Sequence, residues 1–421
     1  MSNENQDDVR NGGLSRRNMF GIGSTLATAA LVGVAANAQQ RANTRTAERD
    51  LSASDPGPEN TPLLNQNPSS NMPPPTDHGD LGPIWYSFDL THKRIQEGGW
   101  THQVTQRELP SSKDIAGVNM RLTAGGFREL HWHTADEWSI MLDGNARVSV
   151  LNPDGTVFID DVGKGDLWYF PAGYPHSIQG LSPNGCEFLL VFNEGMFSED
   201  NTFLLSDLLA STPHSVLSKN FHLNQAALAK LPTRSMYIFP ADLPKSLADD
   251  KAAVGQNVQP PIQYTFRMAS MAPTKKTPGG EARIVDSHNF PVSKNIAAAM
   301  VTVKPGALRE LHWHPNASEW QYYMAGKGRM TVVAEGGAAR TMDFNANDVG
   351  VVPSMAPHCV ENTGNTDLVF LAMFKAHEYL DISVNYWLRH LPPEMVTSHI
   401  GLDASEIQSI PAEQLIVIAG S

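Results

Sequence analysis

One hexapeptide occurs twice in this chain. Arg128-Glu129-Leu130-His131-Trp132-His133 returns as Arg309-Glu310-Leu311-His312-Trp313-His314, 181 positions later. Phe170-Pro171 and Pro175-His176 correspond to Val352-Pro353 and Pro357-His358 at a spacing of 182. Pro213, Leu217 and Leu223 have a weaker echo in Pro392, Val396 and Leu402. A period this long marks a duplicated domain, not a short stacking unit. Each copy then needs its own core, which 421 residues with 41% apolar content allow.

Inside each copy the apolar segments are short and rich in Val, Ile, Phe, Tyr and Trp. Ala146–Leu151, Asp166–Phe170 and Glu187–Phe192 are examples in the first copy; Ala297–Val303, Arg329–Ala334 and Leu368–Phe374 are examples in the second. Turn signals such as Asn152-Pro153-Asp154-Gly155 and Glu335-Gly336-Gly337 separate them. This pattern predicts an all-β fold, two tandem antiparallel sandwiches or barrels. Short helices are expected only after each β block, around 203–229 and 383–409. The domains are placed at 81–240 and 241–421, joined in a Pro-, Gly- and charge-rich stretch near 232–262.

The N-terminus reads as a processing signal. Ser15-Arg16-Arg17-Asn18-Met19-Phe20 is a twin-arginine pattern, followed by an apolar Gly/Ala-rich run and Ala36-Asn37-Ala38. These are the parts of a cleavable export signal over 1–38, which would place the mature protein in the periplasm or outside the cell. Residues 39–80, rich in Asn, Pro, Ser and Thr, are expected to be a flexible arm. A formal charge of −13 argues against nucleic acid or an anionic membrane as partner. Cys186 and Cys359 form no C-x-x-C pair and read as unpaired, largely buried thiols.

The repeat also carries chemistry. Side chains two apart on a strand share a face, so His131 and His133 present two imidazoles to one side, as do His312 and His314. Glu137 lies an even number of residues from both and can continue that face. Glu319 is one residue further on, so the second copy needs a bulge or a looser turn. His176 and His358, each after a proline, come from a later strand. Three imidazoles and one carboxylate per domain suit divalent Mn, Fe, Co, Ni or Zn, and the ligand types alone do not choose. Around an octahedral ion they leave two positions for substrate or dioxygen.

These residues resemble the cupin superfamily. Its first motif, G-x5-H-x-H-x3,4-E-x6-G, is met by Gly125, His131, His133, Glu137 and Gly144, and by Gly306, His312, His314, Glu319 and Gly326. Its second, G-x5-P-x-G-x2-H-x3-N, is met by Gly165, Pro171, Gly173 and His176, with Gly180 in place of Asn. Copy two keeps Pro353, His358 and Asn362 but has Asn347 and Met355 where glycines are expected. Those departures touch turn residues, not ligands. The fold implied is two tandem cupin jelly-roll barrels with short peripheral helices.

The runs Phe158–Gly163, Gly165–Pro171 and Glu319–Tyr323, with the duplicated hexapeptide, resemble bicupin oxalate decarboxylases more closely, over about residues 80–410. That family implies two manganese ions per chain, a need for dioxygen, conversion of oxalate to formate and carbon dioxide, and trimers stacked into a hexamer. Its lid glutamate lies in a segment S-E-N-S-T; the aligned segment here is Ser198-Glu199-Asp200-Asn201-Thr202. Glu199 is then the general acid/base, and Arg128 and Thr202 contact substrate. The added carboxylate of Asp200 would either raise the pKa of Glu199 or repel oxalate, leaving the acid/base group in place. A guanidinium can hold a carboxylate bidentately; Arg128 and Arg309 lie three residues before the first ligand, so a bend near Glu129-Leu130 is required for either to reach it. Where the family often carries a glutamate near the second metal, this chain has Ala372. Turnover is therefore expected at the first site, with the second structural or electronic. The alternatives are an oxalate oxidase releasing peroxide, a non-catalytic bicupin, and a cupin acting on another small acid.

Overall fold

The longest strand shows how each repeat closes on itself. Glu137–Leu151 runs through both faces of the first barrel. Its first part pairs with Cys186–Phe192 and Leu167–Phe170, and its second part with Val157–Gly163 and His176–Gly180. The corner falls at Gly144, whose φ of 75° lies in the left-handed region. A Cβ there would sit 2.1 Å from the carbonyl oxygen of Gly185, so glycine is required on both counts. In the second barrel the same corner, Gly326 (φ 81°), separates strands Glu319–Ala325 and Lys327–Val333. A seven-stranded and a six-stranded sheet face each other there. The computed structural model describes residues 57–255 and 260–420.

The expected strands recur with shifted ends. Ala297–Val303 and Leu368–Phe374 are unchanged, while Glu187–Phe192 becomes Cys186–Phe192 and Arg329–Ala334 becomes Lys327–Val333. Short helices follow each barrel at Leu205–Ser211 and His214–Phe221, and at Val384–Arg389, Pro393–Ile400 and Ala404–Ser409.

Three expectations about organisation change. Helices are not confined to the ends of the β blocks, since Leu247–Ala253, Thr61–Gln66 and Pro68–Asn71 are also helical. The arm assigned to 39–80 is packed where it is described. The Ser69 amide donates to Asp343 (2.6 Å) and the Thr341 amide to Asp77 (2.9 Å), which lays this segment on strand Ala339–Asn345. Its Asn and Pro residues cap and start helices, with Asn60 accepting from the Leu63 amide. Composition alone reads the same residues as loop.

The third change is at the domain boundary. Trp85–Ser87, at the start of the first repeat, pairs with Asp348–Val352 in the second barrel. Thr265–Phe266, at the start of the second, pairs with Leu167–Phe170 in the first barrel. The two copies thus exchange their leading strands, and no single cut in the chain separates them. The first core cluster continues from Trp138, Phe188 and Phe192 into Trp320, Tyr322 and Leu371 of the second barrel. Gly117 makes this contact possible, because a Cβ there would lie 2.5 Å from the Trp320 ring.

The twin-arginine segment and the Ala36-Asn37-Ala38 cleavage site lie outside the described residues. Among the described residues no helix is long and apolar enough to cross a membrane. Cys186 and Cys359 are both free, the first buried and the second half-buried.

Candidate active site

His131, His133, Glu137 and His176 come together in the first barrel, and His312, His314, Glu319 and His358 in the second. In each group the potential ligand atoms lie within 4.8 Å of one another, and every member is buried. His176 and His358 open strands that pair His131 with His176 and His312 with His358. The glutamates arrive differently from the parity argument. The chain reverses after His133, and Glu137 opens the next strand, so its place is set by the turn. The extra residue before Glu319 lies in the corresponding turn after Trp313, and no bulge is needed for it.

The expected bend at the arginines is present. The pairing register shifts between Arg128 and His131, and between Arg309 and His312. The bulge returns both arginines, three residues before a ligand, to the interior. The intervening Glu129 and Glu310 turn away to tie down the chain. Glu129 accepts from the Ser206 and Tyr237 amides (2.5 and 2.8 Å), and Glu310 from Ser383 Oγ and the Ile416 amide (both 2.7 Å). Trp132 stacks on Phe203 and Trp313 packs edge-on to Trp387.

Each cluster fits a cation. Every Nδ1 of the six histidines faces a backbone carbonyl: Glu129, Ala135 and Tyr174 in the first group, Glu310, Leu380 and Ala356 in the second, at 2.6–3.0 Å. With Nδ1 donating, each Nε2 carries a lone pair into the cluster. Among the described residues, His176 Nε2, His358 Nε2 and Glu319 Oε2 are buried without a hydrogen-bond partner, and the Nε2 atoms of His312 and His314 face each other at 3.2 Å. A divalent ion satisfies all of these at once. The glutamates are oriented from behind. Glu137 Oε1 accepts from Trp168 Nε1 (3.0 Å) and Ser139 Oγ (3.1 Å), and Glu319 Oε1 accepts from Gln321 (2.8 Å).

Electrostatics keep the ligands in the metal-binding form. Burial, aided by Arg128, pushes the His131 imidazole well below its ordinary pKa, and burial with Arg309 does the same to His312. Burial alone would raise Glu137 and Glu319. The close approach of His133 and His176 to Glu137, and of His358 and His314 to Glu319, outweighs it and holds both carboxyls low.

Beside the first cluster, Arg128 Nη2 donates to Glu199 Oε2 (2.9 Å) and to Thr202 Oγ1 (3.3 Å). The Arg128 and Glu199 side chains are only 1% and 6% exposed. Among the described residues, Arg128 Nε and Nη1 are buried with no hydrogen-bond partner. Tyr237, unnoticed in the sequence, donates its hydroxyl to the same Glu199 oxygen (2.9 Å). Burial and the Glu199 charge keep that phenol protonated. Its ring lies between the guanidinium groups of Arg94 and Arg128. Glu199 sits in a one-turn 3-10 segment, Glu199–Asn201, with its amide donating to Gln103 (3.2 Å). Outside this segment a cleft of about 350 Å³ is lined by Arg94, Gln103, Glu199, Asp200 and Tyr237, among others. Asp200 is turned outward. Its side chain is 76% exposed and pairs with Arg94 (3.1 Å).

The second cluster differs. Ala372 faces the barrel core, paired with Gln321 and Ala299, as its small apolar side chain requires. The family pattern points only to position 372 for a carboxylate, but one stands beside Arg309, with Asp381 Oδ2 2.7 Å from Arg309 Nη2. It was missed because it lies in a different loop position from Glu199. In the second motif, Asn347 and Met355 keep left-handed φ values of 75° and 63°. The turns survive without the glycines.

Comparison with known proteins agrees with this geometry. The cupin family description matches residues 88–228 and 266–408. Oxalate decarboxylase OxdC of Bacillus subtilis is 51% identical over 345 residues, covering 82% of this chain and 89% of that protein. An oxalate decarboxylase of Arthroderma benhamiae is 36% identical over 428 residues, covering 95% and 99%. A solved structure addressing the Mn(II) centres of the Bacillus subtilis oxalate decarboxylase superposes with a TM-score of 0.85 at 48% identity, covering 88% of this chain and 97% of that one. Another, on substrate binding and a reaction-specificity switch in oxalate decarboxylase, gives 0.85 at 48% identity, covering 89% and 98%. With two cupin domains, two three-histidine, one-glutamate clusters and relatives of this extent, the chain belongs to the bicupin oxalate decarboxylase family.

Proposed function

We propose that this chain converts hydrogenoxalate to formate and carbon dioxide at its N-terminal centre, with manganese at both centres and dioxygen as cofactor. The observation that carries this reading is the buried Arg128–Glu199 pair beside the first cluster, with Arg128 Nε and Nη1 left without a partner among the described residues. Manganese is supported by the Mn(II) centres of the Bacillus subtilis relative together with the all-N/O ligand set. Held by His131, His133, Glu137 and His176, a manganese ion would supply Lewis acidity toward oxalate and, with dioxygen, the redox help for carbon–carbon cleavage.

The protein's own groups supply the rest. Arg128 receives a substrate carboxylate on its free N–H groups, and Thr202 lines the same space. Glu199 takes the proton of hydrogenoxalate. The carbon–carbon bond breaks, carbon dioxide leaves, and the electron pair stays on the remaining carbon. Glu199 returns the proton to that carbon, giving formate. The Tyr237 hydroxyl holds the carboxylate in place between these two transfers.

The test feeds oxalate to the manganese-loaded protein under air and measures formate and hydrogen peroxide together. One formate per oxalate with little peroxide is expected. Peroxide without formate would make the protein an oxidase, and neither product would make it a non-catalytic bicupin. The reading extends to assembly as trimers or a hexamer, supported by the family alone, and to twin-arginine export to the periplasm or medium, supported by the Ser15–Phe20 motif. Sedimentation, and the location of the protein in cells with Arg16 and Arg17 replaced by Lys, test these.

A further inference from the structure

The two motif arginines occupy equivalent positions but are not equally available. Arg309 Nη2 donates to Asp381 Oδ2 (2.7 Å) and Tyr379 Oη (2.9 Å), and its Nη1 donates to the Ile416 carbonyl (3.1 Å). Asp381 is itself saturated. Tyr379 donates to Oδ2 (3.0 Å) and Gln414 Nε2 to Oδ1 (2.5 Å). The side chains of Arg309 and Asp381 are 3% and 8% exposed. In the first barrel the corresponding guanidinium keeps two buried nitrogens, Nε and Nη1, without a hydrogen-bond partner among the described residues.

The carboxylate comes from a different place in each copy. Thr202 and Asp381 are equivalent, each directly preceding a two-residue strand, Phe203–Leu204 or Ile382–Ser383, that pairs with the ligand strand. The first copy holds a neutral hydroxyl there and brings its carboxylate from Glu199, in a short turn outside the sheet. The second copy builds the carboxylate into the anchored position. The neighbouring Leu380 carbonyl fixes His314 Nδ1 (2.6 Å), so Asp381 cannot swing aside without disturbing a metal ligand.

We propose that Asp381 is a resident anion that occupies Arg309 and closes the C-terminal centre to oxalate, so that only the N-terminal centre binds substrate. A second carboxylate brought to Arg309 would meet Asp381 in a buried setting, where like charges repel strongly. The guanidinium has no free fork to offer in return. The inference rests on oxalate being the ligand of the first centre.

Titration calorimetry of the manganese-loaded protein with oxalate, without dioxygen, tests it. The native chain is expected to bind one oxalate, and the near-isosteric Asp381→Asn variant two, with two manganese ions per chain in both. Arg128→Gln in the native background should abolish binding. Two oxalates per native chain overturn the proposal. So does one oxalate remaining in Arg128→Gln, a result that needs no Asp381 variant to fold. One oxalate per chain in a folded, fully metallated Asp381→Asn also overturns it. No oxalate bound by the native protein, with no formate under air, removes the substrate reading and this proposal with it, whereas two oxalates bound with formate released removes this proposal alone.

Discussion

Arg94 and Asp200 form an ion pair of 3.1 Å on the outer side of the turn whose inner side chain, Glu199, meets Arg128. The position that the sequence presented as a threat to substrate is thus turned outward and neutralised. Both side chains are substantially exposed, at 38% and 76%, so the pair contributes at most about 1 kcal/mol. That is enough to change the open fraction of the turn about fivefold. Asp200→Asn or Arg94→Ala should raise peroxide relative to formate by up to about that factor. Added salt should raise it in the native enzyme and leave the variants unchanged. A product ratio indifferent to both would show that the pair does not hold the turn.

Glu199→Gln keeps the size and the hydrogen bond from Tyr237 but removes the proton carrier. Formate production should fall by about 10²–10⁴, the range for loss of a general acid/base. Oxalate affinity should change little, because Arg128 is retained. Comparing kcat with calorimetric affinity separates the two effects.

Trp168 and Gln321 each orient one metal-binding glutamate from behind. Groups of this kind change metal affinity by about 10–100-fold when lost. Trp168→Phe should therefore weaken manganese at the N-terminal centre alone, and Gln321→Leu at the C-terminal centre alone. Metal analysis after graded chelation should show one tight and one loosened ion in each variant.

The buried ligands make the metal-free protein sensitive to acid. His131 and His312 stay neutral below the ordinary histidine value of 6.5, where the unfolded chain takes up protons. Glu137 and Glu319 stay ionised below 4.5, where the unfolded carboxyls are protonated. In both cases the unfolded state binds more protons, so stability falls as pH falls, first below 6.5 and further below 4.5. Scanning calorimetry of the metal-free protein from pH 7 to 4 should show a steadily declining Tm. A flat profile would contradict these shifts.

Met355 holds φ at 63° and is 62% exposed. It makes a left-handed turn that glycine makes without strain, and the penalty for a side chain there is about 1–2 kcal/mol. Met355→Gly should stabilise the protein by about 1 kcal/mol, read as a higher urea midpoint at unchanged m. Asn347 should not gain in this way, because its side chain bonds to Tyr322 and Asp89.

Much of this was legible in the order of residues. The repeated hexapeptide gives the duplication, and strand alternation with turn spacing gives the all-β barrels. The spacing of His131, His133, Glu137 and His176, and of their counterparts, names both clusters, because ligand type and local period are properties of short segments. The odd step from Arg128 to His131 even required the bulge that the register shows. Other features depend on residues far apart in the chain. The exchange of Trp85–Ser87 and Thr265–Phe266 between barrels is a matter of which sheet edge each strand reaches. Tyr237 meets Glu199 from 38 residues away, and Asp381 meets Arg309 from 72. A lone Tyr or Asp in a loop carries no local mark of such a partner. The sequence by itself therefore determined two metal-binding barrels. Only the tertiary structure decided that one arginine keeps two nitrogens without a partner among the described residues while both terminal nitrogens of the other are engaged, since hydrogen bonding depends on what the folded chain brings within about 3 Å.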